Sequence, residues 1–104
     1  MTAMDHFLEY VIHRTDGDWF DLPYDRIADI LRPATIPSRP VEGWGSNRIV
    51  VEGEEIAFSD EEAGVVVYFQ TGQTDPTRAD EIMEDVRRNI EARTGQKAEV
   101  LQIT

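Results

Sequence analysis

Hydrophobic and polar positions follow two rhythms along this chain, and the second half carries the clearer one. Residues 48–52 hold the β-branched run Ile49, Val50 and Val51, and residues 54–59 set Ile56 and Phe58 on one face. Both segments read as strands, with Gly53 at the turn between them. A further turn over 60–64 leads into Val65-Val66-Val67-Tyr68-Phe69, within a strand at 65–70. This run is apolar on both faces, which places it centrally in a sheet. Residues 76–94 change to the helical period, with Ala79, Ile82, Met83, Val86 and Ile90 as the buried stripe. Asp75 is the N-cap, Pro76 takes the first helical position and Gly95 closes the end. Pairs Glu84–Arg88 and Arg87–Glu91 at i, i+4 lace its outer face. A last strand over 97–103 follows. The helical crossover is long enough to make the strands at 65–70 and 97–103 parallel.

The first half fits two templates. Met4, Phe7, Leu8, Val11 and Ile12 match the stripe of an amphipathic helix over 4–14. The same stretch also reads as a strand over 8–13, turned back by Asp16-Gly17 onto 18–22. Five matching positions favour the helix. Pro23 opens a second helix over 23–32, with Ile27, Ile30 and Leu31 as its apolar face, and Pro33 stops it. Residues 33–47 hold three prolines and two glycines and read as an extended connection. The expected fold is therefore one α+β domain over 1–104. A helical part (1–32) and a loop (33–47) precede a β-β-β-α-β part (48–104). The sheet is four-stranded and mixed, with the long helix on one face.

Composition narrows the function classes. The chain has 104 residues with 21 Asp and Glu against 10 Lys and Arg, a net charge of −11. Nine of the ten bases are arginine. Such a surface repels phosphate backbones and anionic bilayers, so neither nucleic acid nor membrane is an expected partner. Without cysteine there is no disulfide, thiolate metal site or cysteine nucleophile. The N-terminal residues lack a basic segment followed by an apolar run, so the expected location is cytoplasmic.

The charge gathers at residues 52–62, which hold six acids and no base. A partner-binding surface is expected there, with Glu54, Glu55, Asp60, Glu61 and Glu62 steering a basic protein and Trp44, in Gly43-Trp44-Gly45, as its anchor. The ordinary readings are a solvated face for the acids and a lid over the core for Trp44. For Trp19-Phe20 the core reading is preferred. On a helix, His6, Glu9 and His13 would share a side and form a weak zinc candidate. Asp16, Asp18 and Asp21 fail as a calcium loop, because Phe20 replaces a ligand. Thr71-Gly72-Gln73-Thr74 precedes a helix N-terminus, but Asp75 there opposes an anion. No phosphate-loop, dinucleotide or nucleophile-elbow motif occurs, so neither a cofactor nor catalysis is expected.

In size, acidity and lack of cysteine the chain resembles bacterial immunity proteins and inhibitors. That resemblance implies a protein-interaction module. Two alternatives stand beside it: a housekeeping protein whose acidity answers to a saline cytoplasm or a GC-rich genome, and a small metal-binding protein or enzyme. A bare sheet face would also suit a homo-oligomer.

Overall fold

Helix α2 (Pro76–Thr94) forms where the sequence signals start and stop it. The Asp75 carboxylate accepts the backbone N–H groups of Thr77 (2.9 Å) and Arg78 (3.2 Å), and Gly95 ends the helix at φ 73°. The five stripe residues are all fully buried. The computed structural model describes residues 8–41, 47–61, 64–71 and 73–103. Around α2 it places strands β1 (Glu9–Arg14), β2 (Arg39–Pro40), β3 (Asn47–Val51), β4 (Glu54–Glu61), β5 (Gly64–Phe69) and β6 (Ala98–Gln102). A single 3-10 turn at Tyr24–Arg26 leads into the one-turn helix α1 (Ile27–Ile30).

The sheet differs from the expected four-stranded mixed one. It has six strands in the order β2-β3-β4-β5-β1-β6, and every neighbouring pair is antiparallel. The change comes from residues 9–14, which form a strand and not the expected helix. Leu8, Tyr10 and Ile12 also make a period-2 set, and burying all three beneath α2 decides in its favour. β1 enters between β5 and β6. Those two run in the same direction, but each pairs with β1 and not with the other. The Asp16-Gly17 turn forms, with Gly17 at φ 81°, but residues 18–22 make no strand. The second expected helix shrinks to α1, and residues 39–40 of the expected connection pair with β3 at the sheet edge.

Turn geometry explains two sharp reversals. Glu52 (φ 54°) and Gly53 (φ 85°) both have positive φ, as the twist-matched two-residue hairpin demands. Glu52 bears that strain with its carboxylate gripped by Arg78 of α2 through Nε (3.0 Å) and Nη2. Gly64 sits at φ +133°, where an added Cβ would lie 2.4 Å from the Ile12 carbonyl oxygen. No side chain fits there while β5 pairs with β1.

The core lies between the sheet and α2. Tyr10 and Phe69 pack ring to ring at 5.7 Å, tilted by 56°. The Tyr10 hydroxyl donates to Asp80 on α2 (3.1 Å). Its burial, with Asp80 beside it, pushes the phenol well above its usual range. Phe20 packs against the core as expected, whereas Trp19 is exposed and not a core residue. On α2, Arg87 pairs with both Glu84 (2.9 Å) and Glu91 (3.0 Å). The expected partner of Glu84, Arg88, turns instead to Asp85 (3.4 Å).

Two buried carboxylates fasten irregular segments to this frame. Asp85 accepts the Thr35 and Ile36 backbone N–H groups (2.8 and 2.7 Å) and the Thr35 hydroxyl (3.0 Å), holding the connection that follows α1 against α2. Glu54 does the same for the approach to α2. It accepts the backbone N–H and hydroxyl of Thr71 (both 2.7 Å) and of Thr74 (3.1 and 2.8 Å).

Candidate interaction face

Strand alternation sorts the sheet residues onto two faces. Tyr10, Ile12, Ile49, Val51, Ile56, Phe58, Val65, Val67 and Phe69 turn toward α2 and are buried. The opposite face is crossed by no helix among the described residues. Its register builds three cross-strand rows over β4, β5, β1 and β6. The first row runs Ala57, Tyr68, Glu9, continuing to Ile103, whose N–H donates to the Glu9 carbonyl (2.7 Å). The second runs Ser59, Val66, Val11, Leu101. The third begins at Glu61 and Gly64 and ends with His13 and Glu99. Directly opposed side chains in such rows sit ~5 Å apart, so the apolar members form one continuous patch.

That patch is exposed where it matters. Leu101 keeps 49% of its surface, Ile103 53% and Tyr68 37%. Acids stand among and around it: Glu9 interrupts the first row, Glu61 and Glu99 flank the third, and His13 Nε2 lies 3.2 Å from Glu99 Oε1. Toward β3 the face becomes self-paired, with Arg48 Nη1 donating to Glu55 (2.6 Å).

The structure redistributes the expected steering acids. Glu54 is buried (1% exposed) with both carboxylate oxygens committed to Thr71 and Thr74, so it meets no partner. Burial alone would push its carboxyl up. The four bonds from the threonines outweigh that and hold it below its ordinary 4.5. Glu55 lies on the open face but is tied to Arg48. Asp60 and Glu61 are exposed at the end of β4, where burial and then the charge of Glu61 raise the Asp60 carboxyl. Trp44 and Glu62 lie outside the described residues.

The expected zinc trio does not assemble. Glu9 and His13 share a strand face four residues apart, which separates them by ~13 Å, and His6 lies outside the described residues. Among the described residues no three acidic, histidine or cysteine side chains are grouped to hold a metal. None of their helices is long and apolar enough to cross a membrane. The residues that build the open face, Val11, Val66, Tyr68, Leu101 and Ile103, escaped the sequence reading. Their signal was present in the period-2 pattern of residues 8–13, which marks Val11 as the outward member of a strand. No protein-family model, curated protein or solved structure matches this chain.

Proposed function

We propose that this chain is a protein-interaction module that receives a basic protein on the open sheet face, as an inhibitor or immunity-type protein does. The observation that carries this reading is the apolar patch of Tyr68, Leu101 and Ile103 set among Glu9, Glu61 and Glu99. An exposed apolar centre with a charged rim is the anatomy of a binding patch: the centre holds the partner and the rim selects and steers it. The net charge of −11 extends that steering beyond the patch. The same charge disfavours a second copy, since two such faces would oppose their glutamates. Trp44 stays in the proposal as an anchor, on the strength of its Gly-Trp-Gly setting.

The test compares immobilised wild type with Leu101→Ser and Glu61→Lys/Glu99→Lys for retention of basic proteins from the source lysate. Binding kinetics of the retained protein follow. The proposal expects Leu101→Ser to raise the off-rate about tenfold, which corresponds to ~1.4 kcal/mol. It expects the charge reversals to slow association and flatten its salt dependence. Equal retention by all three proteins would refute it, as would self-association through this face.

A further inference from the structure

A different part of the molecule, independent of the open sheet face, carries a second site. A cavity of about 320 Å³ opens between the end of α1, the 33–38 connection and the last turns of α2. Arg32, Arg93, Asn89, Ser38, Thr35 and Asp29 contribute to its lining. In a chain with twice as many acids as bases, most arginines find a carboxylate, and Arg14, Arg48, Arg78, Arg87 and Arg88 each do so. Among the described residues Arg26, Arg32, Arg39 and Arg93 do not, and of these four Arg32 and Arg93 line the cavity. Arg32 Nη2 donates to the Ser38 carbonyl (2.9 Å), and Arg93 Nε donates to Asn89 Oδ1 (3.1 Å). Each guanidinium has five N–H donors in a planar fork, so both retain donors beyond these single bonds.

The walls are built in advance. Asn89 is buried, and its amide donates to the carbonyls of Asp29 (3.0 Å) and Ile30 (3.1 Å), which fixes its oxygen as the prop for Arg93. Asp85 pins Thr35 and Ile36. Two prolines, Pro33 and Pro37, stiffen the same segment. Counting Asp29 against the two arginines, the lining keeps one net positive charge within a strongly negative molecule.

We infer that this cavity binds a small oxyanion, a phosphate or carboxylate group, held by Arg32 and Arg93. Arginine forks match the paired oxygens of either group. Asp29 excludes larger polyanions by repulsion and sets a modest affinity.

The test is an amide NMR titration of the ¹⁵N-labelled protein with sodium phosphate and, separately, sodium acetate, each against sodium chloride at matched ionic strength. Expected are saturable shifts confined to residues 35, 36, 38, 89 and 93 with phosphate, acetate or both, and which salt saturates identifies the group. Arg93→Gln, an exposed position that leaves the fold intact, should weaken binding about tenfold. Arg32→Gln should do the same, whereas Lys97→Gln, outside the cavity, should not. Shifts no different from those with chloride would overturn the inference. Equal weakening by Lys97→Gln and Arg93→Gln would overturn it too, since that marks diffuse screening.

Discussion

Asp85 and Glu54 show how one residue can organise a segment that has no regular structure. Each is a buried carboxylate whose oxygens satisfy backbone N–H groups that would otherwise be stranded. For Asp85, burial pushes the carboxyl up, but the bonds from Ile36, Thr35 and Arg88 prevail and hold it below its ordinary 3.8. The sign for stability follows. A carboxylate with a lowered folded-state pKa contributes fully above its unfolded pKa, and that contribution is lost as pH falls through the folded value. Thermal unfolding followed from pH 7 to pH 2 should therefore show stability falling from about pH 4.5 downward, with Asp60 working weakly in the opposite sense. Asp85→Asn and Glu54→Gln should each cost ~1–3 kcal/mol at pH 7, because an amide group cannot accept at both ends. Both should reduce the loss below about pH 4.5, which denaturant titrations at pH 7 and pH 3 would reveal. An unchanged acid slope in both variants would remove the carboxylates as its cause.

Among the elements, α2 and the β5–β1 pairing are the most demanding. α2 begins on a capped Asp75, and Asp75→Ala should lower stability by ~1 kcal/mol in urea unfolding. The pairing depends on Gly64. Ala there meets both a disfavoured φ and the Ile12 carbonyl, so Gly64→Ala should cost ~3 kcal/mol or more. Hydrogen exchange in that variant should rise first at the β1–β5 amides and leave the amides of α2 slowest. The same register lines up Val66, Val11 and Leu101 on the open face. A change that unzips β1 would therefore remove the proposed docking patch together with the core.

For the whole molecule the dominant quantity is the charge of −11. Self-repulsion of this size destabilises the folded state at low ionic strength, and salt relieves it as the screening length falls from ~30 Å at 0.01 M to ~3 Å at 1 M. The melting temperature should climb with KCl and level off below about 1 M. A climb that continues into molar KCl would instead support the solvent-adaptation reading of the acidity. The two proposed sites sit apart, one on the open sheet face and one between α1 and α2. Arg93→Gln should therefore leave partner association unchanged, and Leu101→Ser should leave anion shifts unchanged.

Local signals in the sequence determined the elements that depend on near neighbours. α2 has its cap, its stripe and its closing glycine within one stretch of residues, so its bounds were legible. β3, β4 and β5 declared themselves through β-branched runs separated by turns. Residues 8–13 were different, because their pattern satisfies both periods and the choice rests on β5 and β6, which lie in the second half of the chain. Only the assembled sheet offers those two edges, and the backbone of residues 9–14 pairs with both. Glu54, Asp85 and Asn89 were likewise illegible as buried groups. A polar residue defaults to solvent unless distant backbone donors or acceptors meet it, and Thr71, Thr35 and Ile30 do so only after folding. Composition alone determined the charge and the exclusion of thiol chemistry. The tertiary structure decided where that charge borders apolar surface and which arginines find a carboxylate, since both depend on contacts between segments far apart in the chain.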